Sequence, residues 1–146
     1  MEVNGYTIEP GANLAGANLQ QASLQGANLA GAILNRADLT GADLDGANFT
    51  GAHLLWANLS SAKLARANLA RANLAGADLT GADLAGADLT GAVADNGTKW
   101  PEGFDRVAAG VLKSSGAELQ DSPGATNPFY HPIFDEVDLL KLEDEK

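Results

Sequence analysis

The sequence contains no cysteine. That removes disulfides, thiolate nucleophiles and cysteine-ligated metals together. His53 and His131 are the only histidines, too few for a recognisable histidine metal site. Aromatic residues make up 5% of the chain although the hydrophobic fraction is 45%. Most of that fraction is Ala and Leu, so the core must be unusually uniform. No apolar run approaches the roughly 18 residues of a membrane-spanning helix. The opening MEVNGYTIEP has neither the basic nor the apolar region of a signal peptide, so a cytoplasmic protein with no membrane partner is expected.

Positive charge is also scarce. Nine Lys and Arg oppose nineteen Asp and Glu, a net charge of -10. Direct binding of nucleic acid, which needs clustered Lys and Arg, is therefore not expected. Between residues 11 and 94 stand Asp38, Asp43, Asp45, Asp78, Asp83 and Asp88 against Arg36, Lys63, Arg66 and Arg71. The acidity thus belongs mainly to the flanks.

What is present is a repeat of five. Ala occupies every fifth position from Ala12 to Ala92. Two residues after each of the first sixteen comes a large apolar residue: Leu14, Leu19, Leu24, Leu29, Leu34, Leu39, Leu44, Phe49, Leu54, Leu59, Leu64, Leu69, Leu74, Leu79, Leu84 and Leu89. Asn or Asp stands between them in twelve of the sixteen units, and Gly commonly closes the unit. In extended backbone, residues two apart point to the same side. Ala and Leu therefore face inward, the Asn or Asp faces outward, and the remaining two residues turn a corner. A helix is excluded, because positions five apart fall on different faces at 3.6 residues per turn. Proline cannot donate to a strand ladder, and none lies between Pro10 and Pro101, which bracket the repeats.

The recurring A(N/D)L(T/S/A)(G/R) resembles the pentapeptide-repeat family. The resemblance implies an all-β solenoid, a right-handed quadrilateral β-helix with five residues to a side, about 20 to a coil and about four coils. Residues 20 apart then stack. One outward column reads Asn18, Asp38, Asn58, Asp78, and another Ser23, Asp43, Lys63, Asp83, so carboxylates avoid like neighbours. The remaining side breaks the pattern, with Asn13, Ile33, His53, Asn73 and Val93 outward and Arg36, Leu55 and Trp56 at its corner. Ile33, Arg36, His53, Leu55 and Trp56 form a candidate protein contact, with Arg36 and Trp56 placed for cation–π stacking. Either the C-terminal tail covers this patch or a protein partner does, and a monomer and a homodimer both remain open.

Four segments are expected: an N-terminal cap over 1–10, the β-helix over 11–94, a C-terminal capping segment over 95–113, and a linker with an acidic tail over 114–146, which packs back on the solenoid if the tail rather than a partner covers the patch. Tyr6 and Ile8 suit the first cap. Asp105 is placed to N-cap a short helix bearing Val107, Val111 and Leu112, with Trp100 and Phe104 against the last coil. The string TKWPEGFD is similar to segments that follow the repeats in family members from photosynthetic bacteria. In the tail, Phe134, Val137 and Leu140 fit one side of a short helix.

No catalytic constellation is recognisable, neither a phosphate-binding glycine loop nor a nucleophile elbow. The Asp residues read as outward members of a ladder rather than as a catalytic pair. No catalytic residue, metal ligand or cofactor is expected. The expected function is a non-catalytic structural or protein-interaction module. The alternative, from family members that mimic DNA, is a binder of type II topoisomerase (gyrase) giving fluoroquinolone resistance.

Overall fold

A computed structural model describes residues 1–114 of the chain. The expected linker and tail helix therefore lie outside the described residues, apart from Ser114. Four short strands are regular: β1 (Glu2–Val3), β2 (Tyr6–Thr7), β3 (Val93–Ala94) and β4 (Leu112–Lys113). Between β2 and β3 the backbone makes single parallel bridges, each joining residues 20 apart. They run in columns, Asn13 to Ile33 to His53 to Asn73 to Val93 on one side and Asn18 to Asp38 to Asn58 to Asp78 on the next.

Each five-residue unit supplies the bonds that make this possible. Leu34 N–H donates to the His53 carbonyl at 2.7 Å, and His53 N–H returns to the Ala32 carbonyl at 2.9 Å. The corner is closed within the unit: Ala37 N–H donates to the Leu34 carbonyl at 2.9 Å, and the same bond recurs at every corner from Ala17 to Ala92. The residue before each Ala, from Gly11 to Gly91, has φ between 55° and 73°. A single positive φ at the third position of a four-residue turn defines a type II turn, which explains the preference for Gly there. Six corners nevertheless carry side chains: Gln21, Arg36, Trp56, Ser61, Arg66 and Arg71.

The inward assignment holds. The fifteen Leu and Phe49 are all buried, most of them completely. Of the Ala rungs, Ala12 and Ala87 are partly buried and the rest are buried. Each Leu contributes about 2 kcal/mol of burial, and the small Ala opposite keeps the shaft narrow.

The outward Asn and Asp residues have a reason that alternation alone does not provide. In all twelve units, Oδ1 accepts a hydrogen bond from the backbone N–H two residues on, as from Thr40 to Asp38 (3.0 Å), Thr50 to Asn48 (2.9 Å) and Thr90 to Asp88 (3.0 Å). This Asx turn satisfies an N–H that the corner would otherwise leave to solvent.

Both ends are capped. At the first, β1 and β2 form an antiparallel hairpin through Asn4-Gly5, both with positive φ, the signature of a two-residue primed turn. Ile8 is buried, and Val3 and Tyr6 pack against the core. At the other end the twenty-residue spacing slips. Asp78 bridges Lys99 rather than a residue 20 ahead. Asp95 Oδ1 accepts from Gly76 N–H (3.0 Å) and Gly97 N–H (2.9 Å), and Thr98 Oγ1 donates to the Leu74 carbonyl (2.9 Å), which holds the extra residue in place.

The expected capping helix does not form. Residues 106–110 form a turn, with Asp105 Oδ1 just before it accepting from Ala108 N–H (3.0 Å) as a capping residue would. The chain then turns at Gly110 (φ 86°), and β4 pairs in parallel with β3, Val93 to Leu112 and Ala94 to Lys113. Pairing to an open strand edge outweighs a weak helical pattern of one or two turns. Trp100 and Phe104 stack with centroids 5.1 Å apart and pack against the core.

Candidate functional site

Three of the five residues singled out from the sequence meet at one corner. Arg36 and Trp56 follow one another in a column that begins with Gly16 and ends with Gly76. The Arg36 guanidinium lies 4.6 Å from the Trp56 ring centroid, a cation–π stack. Ala15, Gly16, Asn35, Arg36, Leu55 and Trp56 line an open groove of about 340 Å³. Trp56 is 56% exposed, and among the described residues only Met1 is another exposed large hydrophobic side chain.

The indole lies flat because its neighbour has no side chain. A Cβ on Gly76 would sit 1.7 Å from Trp56 Cδ1. The same relation recurs at the other occupied corners. Gln21 leans toward Gly41, Ser61 toward Gly81, Arg66 toward Gly86 and Arg71 toward Gly91. Side chains at these left-handed corners project toward the next coil, and a glycine stands there to receive them. Arg36 beneath Trp56 is the one exception, where two large side chains share a column and accommodate each other by stacking.

Ile33 and His53 belong to the same side but not to the groove. They are bridge partners in the outward column, both half-buried. Burial pushes the His53 imidazole below its ordinary pKa. Neither can make the Asx turn that their column position normally supplies. Asn35 compensates at one point, its Oδ1 accepting from Leu55 N–H at 3.1 Å across the coil boundary. Asn35, Ala15, Gly16 and Gly76 are the site residues that the sequence reading missed. Extending the corner column of Arg36 and Trp56 by 20 residues in each direction points to Gly16 and Gly76.

No Asp or Glu occurs among residues 12–16, 32–36, 52–56 and 72–76, which build this side, whereas each of the other three sides carries at least one Asp. On the other sides Asp38, Asp43, Asp78, Asp83 and Asp88 are engaged with their own backbone. The Thr40 hydroxyl (2.6 Å), aided by its N–H and the Gln20 amide, holds the Asp38 carboxyl below the usual range despite partial desolvation. Thr80 does the same for Asp78, chiefly through its hydroxyl, and the Thr90 N–H for Asp88. No group of three or more His, Asp or Glu side chains among the described residues is placed to hold a metal ion.

A sequence model described as Pentapeptide repeats matches eight copies over residues 12–51 and 52–93. No curated protein sequence matches the chain. Among solved structures, the chain is similar to alr5209, a pentapeptide repeat protein from Nostoc PCC 7120, at 41% identity over 70% of this chain and 84% of that one, with a TM-score of 0.69. It is also similar to the pentapeptide repeat protein Rfr23 from the cyanobacterium Cyanothece 51142, at 45% identity over 62% of each chain, with a TM-score of 0.62. Proteins of this kind form right-handed quadrilateral β-helices, an architecture with which bridging at a spacing of 20 residues agrees. By its repeat, its register and these likenesses, the chain belongs to the pentapeptide repeat family.

Proposed function

We propose that the protein is a non-catalytic interaction module, a β-helix of about four coils that presents the Arg36–Trp56 corner to a protein. The supporting observation is the exposed indole of Trp56, 56% accessible, stacked on Arg36 beside a groove. Trp and Arg are the side chains most often found to dominate binding energy at protein interfaces. A surface indole on a body otherwise faced with Asn, Asp, Thr and Gly is a local apolar anchor. The side around it, which carries no carboxylate within residues 12–91, favours a partner segment that is apolar and acidic.

Catalysis draws no support from this geometry. Its interior is filled with Leu and Ala, and its carboxylates are tied to neighbouring N–H and hydroxyl groups. A DNA-mimicking gyrase binder would display free carboxylates along the body. Here the body carries six Asp against four basic residues, and five of those Asp accept from their own backbone.

The test is quantitative affinity enrichment with wild-type protein and with a Leu55→Ala, Trp56→Ala variant, followed by binding of each enriched protein in purified form. A partner that binds the wild type and loses at least about tenfold in affinity to the variant is expected, the effect of about 1.4 kcal/mol. Undiminished binding to the folded variant would remove this surface from consideration. A gyrase supercoiling assay decides the alternative, with no inhibition expected.

A further inference from the structure

We propose that the groove is occupied in cis by this chain's own segment 129–140, FYHPIFDEVDLL, so that the contact surface is autoinhibited. This rests on the preceding reading that the Arg36–Trp56 corner is a protein-binding site, and assigns its regulation.

The first argument is where the described chain ends. β4 stacks on β3 in register, Leu112 above Val93 and Lys113 above Ala94, and Ser114 N–H donates to the Ala94 carbonyl at 2.9 Å. Val93 closes the column of Ile33, His53 and Asn73. The chain therefore leaves the solenoid on the Trp56 side. Three coil steps separate Ser114 from the level of Leu55 and Trp56, about 14 Å at strand spacing. The 14 residues between Ser114 and Phe129 can extend to about 46 Å. The segment reaches the groove with slack, and tethering gives it a high effective concentration there.

The second argument is complementarity. The segment combines Phe129, Tyr130, Ile133, Phe134, Val137, Leu139 and Leu140 with Asp135, Glu136 and Asp138. Within residues 12–91 the Trp56 side is the one that carries no carboxylate, and it has Arg36 at one corner and Arg71 at the other; Asp95, past the last unit, is turned to the Gly76 and Gly97 N–H groups. The remaining sides would set Asp38, Asp43, Asp45, Asp78, Asp83 or Asp88 against an acidic segment. Opposite charge selects this face, and the indole with Leu55 supplies the apolar contact.

The absence of native cysteine makes the test direct. Full-length chains carry Phe134→Cys together with either Ala15→Cys in the groove or Gln25→Cys on another side, and are treated with a short bismaleimide at low protein concentration. The Ala15→Cys pair should give an intramolecular cross-link severalfold faster than the Gln25→Cys pair. Equal rates, or cross-links between chains alone, would overturn docking in cis. The second case assigns the groove to a second copy. As an independent readout, a Trp100→Phe chain reports only Trp56 fluorescence. Adding Phe129→Ser, Phe134→Ser and Val137→Ser should raise its acrylamide quenching by about twofold or more, as expected when a covering segment is released. Unchanged quenching would also overturn the proposal. The cross-linking pair leaves Trp100 intact, so it stands if Trp100→Phe does not fold. Failure of the tail to dock leaves partner binding dependent on Leu55 and Trp56. A docked tail with no partner binding, even after the tail substitutions, instead defeats the binding-site reading alone.

Discussion

At the scale of single residues, the corners carry the information. Every corner adopts a left-handed conformation that suits glycine, and the six that hold a side chain each bear a strain of about 1 kcal/mol. Such a side chain leans on the corner 20 residues later, which explains why Gly76 follows Trp56. Gly16 and Gly76 share a column and a φ of 71°, but only Gly76 meets a neighbour. Gly76→Ala should therefore destabilise the protein by at least about 2 kcal/mol. Gly16→Ala should cost only the conformational strain, about 1 kcal/mol. Denaturant midpoints of the two variants give the comparison, and adding Trp56→Gly to Gly76→Ala should recover much of the difference. The partners Arg36 and Trp56 were legible in the sequence because both depart from the repeat. The bond from Leu55 N–H to Asn35 was not, since it repairs a missing Asx turn that only the backbone geometry reveals.

At the scale of the five-residue side, two requirements are superposed. The inner face needs Leu, and Leu44, which is wholly buried, illustrates the penalty for anything else. Leu44→Lys would place a charge in a shaft with no partner, a cost well above the ~2 kcal/mol of the lost Leu burial. Loss of the cooperative thermal transition is expected, and an unchanged melting curve would contradict the inward assignment. The outer face needs an acceptor for its own N–H. Asp38, Asp78 and Asp88 meet that need as carboxylates, and their pKa values are lowered by it. Because the folded-state values lie below the unfolded ones, these groups bind fewer protons folded than unfolded. Their stabilisation is present above pH ~4 and is lost as pH falls through the folded values. Thermal midpoints recorded from pH 5 down to pH 2.5 should therefore decline, and replacing all three by Asn should flatten that decline. Period-two alternation revealed the inner face from Ala and Leu. It gave no reason for Asn or Asp rather than any polar residue outside, because that reason is a bond to the next corner.

At the scale of the whole molecule, the repeat register was legible and the cap was not. The register follows from seventeen Ala in step, with no competing period. The cap depends on which backbone edge remains open after the last regular unit. Val107, Val111 and Leu112 suggested a helix, yet the edge at Val93–Ala94 captured Leu112–Lys113 instead. Coils that touch only their neighbours should also be removable as units. Excision of residues 42–61, one full spacing of 20, leaves Arg36 beneath Gly76 and Gln21 beneath Gly41. The shortened chain should fold cooperatively, with a β-rich circular dichroism spectrum and a lower midpoint. A chain that does not fold would show that stability is shared beyond adjacent coils. The leaning of corner side chains also orders how such a rod can drift in evolution. Gly11, Gly16, Gly26, Gly31, Gly46 and Gly51, which meet no earlier side chain, can accept replacements sterically; Gly76 cannot until Trp56 has shrunk, and Gly41, Gly86 and Gly91 can only as the flexible side chain one turn back gives way. Each gain of a side chain thus constrains the next position along its corner, most of all where that side chain is rigid, so the order of substitutions along a corner matters.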